Sequence, residues 1–426
     1  MKNILIAIRS IFKKGRHNVM KIVSLGIGLA VGLVLIAKVY FEQSYDDFYP
    51  DRDRVYQVWA KYQQNGGELK DYPQTSGGIA PTMQQQIPEI ETVTRYTSFG
   101  DWTFTMTDTK MKYSGRCIIA DSCFFDILPR PMLIGNAKEV LSTPMYVLIS
   151  SRIAKNIGGD VIGKNFTVDN SPGRTMTIGG VFEEVPENSH SRYDVIVSMA
   201  SAGRFMWEGS PTNMLGNDRY ISYVKLHKGV NPLALEEQVR TFVNSYFPPE
   251  EQQKVGLSID FSFHKLDNLH KELPQVKRMT WILSLLAFAL IFTAVMNYIL
   301  IVISSIVNRS KEVAVHKCYG ASENNIHGMM FGEALVHIVL SLILALLLIL
   351  AFRGTVEELL ATSLDSLLLS NGSLVLLGIC ILVFFVSGFM PGSLYARIPV
   401  ASAFRNYREN KRICCLLYTS PSPRDS

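Results

Sequence analysis

The chain has 426 residues, 48% of them hydrophobic, with a mean hydropathy of +0.16, which exceeds what a soluble protein of two or three domains shows. A net charge of +5 is modest, so basic residues matter through where they cluster rather than through the total, and no nucleic-acid partner is expected. Six cysteines without C-x-x-C pairs or Cys/His ligand spacing exclude a disulfide scaffold and a structural zinc site, so no metal or cofactor is expected.

Residues 1–21 carry Lys2, Arg9, Lys13, Lys14, Arg16 and Lys21 with no acidic residue, while Ile4, Leu5, Ile8, Ile11 and Phe12 recur at helical spacing. This predicts a basic amphipathic helix on an anionic membrane face. "IVSLGIGLAVGLVLIAKVYF", 22–41, has the length of a first transmembrane helix, its single charge Lys38 snorkelling to the far interface. The long charged leader and the lack of a small-x-small cleavage site favour an uncleaved span over a signal peptide. Gly26, Gly28 and Gly32 follow no strand, so they make no dinucleotide fingerprint. Gly28 and Gly32 form G-x-x-x-G, which lets another helix approach closely, although isolated glycines are common in such spans.

From 42 to 276 the pattern changes. "YVLIS", "TMTIGGVF", "YDVIVSM" and "YISYVKL" are β-branched and aromatic runs between Gly, Pro, Asn and Asp turns, with a helical stretch at 233–247. A large α+β domain is predicted, long enough to bury its own core. Within it, "NIGGDVIGKNFT" places Gly158, Gly163 and Lys164 at phosphate-loop spacing, but Asn165 stands where the magnesium-binding Ser or Thr belongs. A surface turn between a helix and a strand is the better reading. Cys117 and Cys123 leave a disulfide open, with free thiols favoured. His190, His227, His264 and His270 lack metal-ligand spacing, and no G-x-S-x-G elbow occurs, so no enzyme activity is expected.

Three further spans are predicted at 279–307, 329–352 and 373–390, the last ended by Pro391 and Gly392. Basic residues gather in the leader, in the 308–328 loop (Arg309, Lys311, Lys317) and in the 391–414 segment, whereas the loop after the third span has Arg353 against Glu357, Glu358 and Asp365. The positive-inside bias then puts both termini and the 308–328 loop in the cytoplasm and the large domain outside, across an inner (plasma) membrane. The fold class is an α-helical membrane protein with four transmembrane helices and a large α+β extracytoplasmic domain inserted between helices 1 and 2. Glu333 and His337 share one face of the third span; interface anchoring and a hydrogen bond from Glu333 to Asn297 on the second span both fit.

The stretch "NYILIVISSIVNRSKEVAVHKCYGASENNIHGMMFGEAL", 297–335, resembles the loop of the FtsX-like permease family, matching at Arg309, Lys311, Glu312, Lys317, Gly320, Ala321, Ser322 and Glu333. It departs mildly at Ala314 and Cys318. "SYDDFYPDRDRVYQV", "APTMQQQIPEIETVTRY", "VLISSRIAKNIGGDVIGKNFTV" and "GGVFEEVPENSHSRYDVIVS" resemble the MacB-type periplasmic core, and "MPGSLYARIPVASAFR" the family's closing cytoplasmic segment. The resemblance implies the permease subunit of a type VII ABC transporter. A separate ATPase dimer would bind Arg309, Lys311, Glu312, Lys317, Gly320, Ala321 and Ser322. Its motion would be relayed outward for export, for lipoprotein or lipid extraction, or as mechanotransmission. It also implies a homodimer or pseudo-dimer and a periplasmic adaptor or envelope partner. The alternative is a membrane-anchored extracytoplasmic sensor or scaffold regulating cell-envelope enzymes. The last residues, 415–426, look like a translated sequencing adapter, so a truncated gene product lacking a second four-helix half is expected.

Overall fold

The computed structural model describes residues 18–169, 171–304, 315, 318–320, 322–368, 375 and 378–383. Helix α1 spans Asn18–Gln43; turns at 44–54 lead to β1 (Val55–Gln64), β2 (Leu69–Tyr72), α2 (Ile79–Gln86), β3 (Ile90–Met106) and β4 (Lys112–Ala120). Then come β5 (Met132–Ile134), β6 (Tyr146–Ser150), α3 (Ser151–Ile157), β7 (Asn165–Val168), β8 (Ser171–Phe182) and β9 (Val195–Ser198). The fold continues with β10 (Ile221–Leu226), α4 (Glu236–Tyr246), β11 (Leu257–Lys265), α5 (Pro274–Ser304), α6 (Glu323–Ala351), α7 (Arg353–Leu360) and α8 (Leu364–Leu368). The chain divides into two compact units, Ser44–Val276 and the remainder.

In the Ser44–Val276 unit the strands form one mixed sheet in the order β11-β1-β10-β3-β4-β9-β6-β8-β5, with β2 on β1 and β7 against β3 and β8. Val195–Ser198 is buried at all four positions, as an inner strand covered on both faces must be. At the opposite extreme β11 is an edge strand that buries Ile259 and Phe261 while Asp260 stays exposed. Asp260 Oδ1 accepts from the Phe261 amide at 2.8 Å, a side chain turned to its own edge.

Two halves of the sheet share the long strand β3. Its register slips between Ser98 and Gly100, where Gly100 takes φ 74°, so the strand bends and runs from a pairing with β10 to one with β7. Helices α2 and α4 cover the first half: Val239, Phe242 and Val243, at i, i+3 and i+4, pack with Met83 on Val58, Val224 and Phe261. The second half closes around Phe104, Cys117, Ile149, Phe166 and Ile178. Each such buried side chain contributes about 2 kcal/mol.

The phosphate-loop spacing falls where a helix runs into a strand, the reverse of the strand-loop-helix order that cradles phosphate. Both motif glycine amides are already used: Gly158 N donates to Ala154 O to cap α3, and Gly163 N donates to Ile178 O. Cys117 and Cys123 are both free, the first in the core and the second donating to Val93 O at 3.1 Å.

Among the described residues three helices are long and apolar enough to cross a membrane, α1, α5 and Phe331–Ala351 of α6, rather than the four expected. The fourth expected span, 373–390, lies largely outside the described residues, with 378–383 helical. The basic leader and the segments 391–414 and 415–426 lie outside them too, except that Asn18 to Lys21 open α1.

Candidate functional site

In the helical unit α1 is packed by both of its long neighbours through residues without side chains. A Cβ on Gly28 would sit 2.2 Å from Ala294 Cβ and one on Gly32 2.4 Å from Ile291 Cγ1, both on α5. On another face, a Cβ on Gly26 would come within 2.9 Å of Leu344 Cδ2 and 3.2 Å of Ser341 O on α6. Such backbone proximity gains dispersion contacts that apolar lipid does not offer on its own. Polar side chains reinforce it: Asn297 Nδ2 donates to Ser24 Oγ at 2.7 Å, and Ser341 Oγ donates to Ile22 O at 3.1 Å. Tyr298 and His337 meet at 3.4 Å between α5 and α6, and Glu333, one turn before His337, is 7% exposed.

Lys38 does not snorkel. It is 7% exposed, and its ammonium meets Glu42 Oε1 and Thr362 Oγ1 at 2.7 Å each, over the Phe41 ring. A buried ammonium needs such partners, because leaving it unpaired costs several kcal/mol by the order of ~5. Thr362 lies between α7 and α8, in a connector tied by Arg353 to Glu357 and Asp365. Lys38 thus fixes the last turns of α1 to the segment that follows the third membrane helix.

Of the predicted coupling residues, Gly320 and Ser322 are described. Gly320 has φ 84°, in the left-handed region that glycine adopts without strain, and Ser322 Oγ accepts from Asn325 N to cap α6. Arg309, Lys311, Glu312, Lys317 and Ala321 lie outside the described residues. Cys318 and Tyr319 are exposed, Tyr319 at 88%.

In the other unit the first and last segments are bound to each other. Lys271 Nζ pairs with Asp47 at 3.3 Å and Asp267 at 2.8 Å, Arg52 pairs with Asp47 at 3.1 Å, and the Tyr45 and His270 rings stack at 3.4 Å. Asp51 accepts from Lys225 on β10 and from Arg54, which hold its carboxyl below the usual range. The strap 44–54 and the segment 266–272, each leading to a membrane helix along the chain, are therefore one ion-paired body.

Arg95, within the stretch "APTMQQQIPEIETVTRY", is a second buried anchor to which the sequence assigns no role. Its Nε donates to Asp121 Oδ2 at 3.2 Å, its Nη1 donates to the carbonyls of Gly77 and Pro211, and its guanidinium lies over the Tyr220 ring. Burial raises the Asp121 carboxyl despite the opposing pull of Arg95. No group of His, Cys, Asp and Glu able to hold a metal occurs among the described residues.

Residues 20–242 match the MacB-like periplasmic core domain, and residues 284–400 match the FtsX-like permease C-terminal domain. No curated protein matches the chain. Among solved structures, a domain from Porphyromonas gingivalis named as part of a permease protein is 33% identical, covering 51% of this chain and 91% of its own at a TM-score of 0.47. The periplasmic region of MacB from Actinobacillus actinomycetemcomitans is 14% identical, covering 51% and 92%, with a TM-score of 0.34. The extracellular domain of the noncanonic ABC-type transporter YknZ from Gram-positive bacteria is 11% identical, covering 48% and 98%, with a TM-score of 0.34. The chain therefore belongs to the FtsX-like, MacB-type permease family and is a permease-type subunit of an ABC transporter.

Proposed function

We propose that the chain relays motion from a separate dimeric ATPase, gripped at the 308–328 loop on the cytoplasmic side, to the Ser44–Val276 unit on the outside, in order to export cargo, extract lipoprotein or lipid, or drive an envelope partner mechanically. In this reading Arg309, Lys311, Glu312, Lys317, Gly320, Ala321 and Ser322 form the grip, both termini are cytoplasmic, and the subunit works as a homodimer or with a second half of its own kind. One observation carries it: the outer unit is inserted between membrane helices, and its first and last segments are clamped together by Asp47, Arg52, Asp267 and Lys271. A sheet held by two flexible tethers would absorb a displacement, whereas a clamped pair passes it on.

The test is charge reversal in the loop. Lys311→Glu combined with Lys317→Glu should insert into the membrane at the wild-type level yet lose the ATPase on purification of the complex, since charge complementarity at a docking surface sets association. Retention of the ATPase at the wild-type ratio would remove the loop from the relay.

A further inference from the structure

The strap that follows α1 is fixed twice, and the first fixing is unusual. Asp46, three residues beyond Gln43, takes φ 60° and is fully buried. Asp adopts that backbone where hydrogen bonds hold it. Here they do. Asp46 N donates to Asn188 O at 2.9 Å, while its carboxylate accepts from Ser189 Oγ at 3.0 Å, His190 N at 3.3 Å and His190 Nδ1 at 2.7 Å. Asn188 Nδ2 returns a bond to Ser44 O at 2.7 Å.

The cluster continues into the sheet. His190 Nε2 meets the Tyr223 hydroxyl on β10, and Ser191 Oγ meets the Tyr96 hydroxyl on β3 at 2.7 Å. Burial pushes the Tyr96 phenol up to about 12 and raises Tyr223 as well, so both stay protonated as donors. The bonds are all satisfied when the His190 proton sits on Nδ1 and Tyr223 donates to Nε2. Residues 188–191 lie just before β9 (Val195–Ser198), the inner strand flanked by β4 and β6. A displacement of Asp46 thus reaches β9 without passing through β1.

We infer that Asp46 and His190 form the joint at which movement of α1 is handed to the β9 half of the sheet, as positioning residues for the relay. The inference rests on the relay reading above. Without the His190 side chain Asp46 keeps its bonds to Asn188, Ser189 and the His190 amide but loses the link through the imidazole to Tyr223 on β10, so the two halves of the sheet should no longer shift against each other.

The experiment uses the full chain with its ATPase subunit in lipid nanodiscs, in a cysteine-depleted background. Spin labels go on Lys138→Cys, beside β6 and β9, and Lys254→Cys, in the helix Pro249–Val255 beside β11. Electron–electron double resonance is recorded with and without ATP and vanadate. The wild-type joint should give an ATP-dependent change in the distance distribution, His190→Ala should lose it while hydrolysis continues, and His190→Asn, whose amide replaces Nδ1 against Asp46, should restore it. A full change in His190→Ala, or no recovery in His190→Asn, overturns the joint. Where His190→Ala does not fold, Asp46→Gly, which removes the carboxylate and keeps the left-handed backbone without strain, replaces it, and a full change there overturns the inference equally. Absence of any change with the wild-type joint overturns the inference but not the relay reading, since a unit moved as one body keeps its internal distances; loss of the relay reading shows instead in the loop charge-reversal test, which separates the two failures.

Discussion

Gly28→Leu and Gly32→Leu should each cost about 3 kcal/mol or more, the upper range for overpacking, and collapse the yield of folded chain. The Cβ alone would lie 2.2 Å from Ala294 Cβ at Gly28 and 2.4 Å from Ile291 Cγ1 at Gly32, inside any tolerable contact. Relief would need α1 and α5 to part, which breaks the Asn297–Ser24 bond as well. Gly354→Ala is the control, because nothing lies within 4 Å of its Cβ position. That change should be neutral or slightly stabilising, by about 0.5 kcal/mol. Thermal midpoints in detergent decide the matter, and a tolerated Gly28→Leu would mean that the two helices do not meet through these glycines.

The second large effect is expected in the outer unit. Arg95→Ala removes the guanidinium partner of Asp121 and the donor to Gly77 O and Pro211 O, at a cost of about 3 kcal/mol for breaking one side of a buried pair. Its pH dependence has a definite sign. Burial raises the folded pKa of Asp121, so the native state binds the proton more readily than the unfolded chain, and stability falls as pH rises through that value. Removing Arg95 raises it further, because Arg95 was pulling it down. The deficit of the variant should therefore be largest near neutral pH and shrink towards pH ~4, where the unfolded carboxyl also takes its proton. Arg95→Ala with Asp121→Asn should recover part of it at neutral pH. A deficit independent of pH, measured by denaturant unfolding of the full chain, would show that Arg95 acts through its carbonyl contacts alone.

The runs "YVLIS" and "YISYVKL" are strands because their alternation or continuous apolar character matches a buried pleat, and that is written in consecutive residues. The long apolar helices are legible for the same reason. What the sequence does not display is partnership at a distance. Lys38 reads as a snorkelling charge, yet its partner Thr362 is 324 positions away. Arg95 and Asp46 lie inside stretches that resemble the MacB-type core, but the resemblance gives them no role, since what distinguishes them is the depth at which the fold places them and the carbonyls or hydroxyls brought to them from other elements. The glycines of α1 are an intermediate case: their spacing permits close approach, but only the facing Ala294 and Ile291 say which helix comes near.

A relay across the membrane requires the short loop and the Ser44–Val276 unit to face opposite compartments. Cys318 is exposed in the short loop, and Lys138 is exposed on the outer unit, so Lys138→Cys supplies the second thiol for a membrane-impermeant maleimide. Labelling of Lys138→Cys in intact spheroplasts, with Cys318 modified only after lysis, is the predicted result. Modification of Cys318 in intact spheroplasts, with Lys138→Cys protected until lysis, would contradict it.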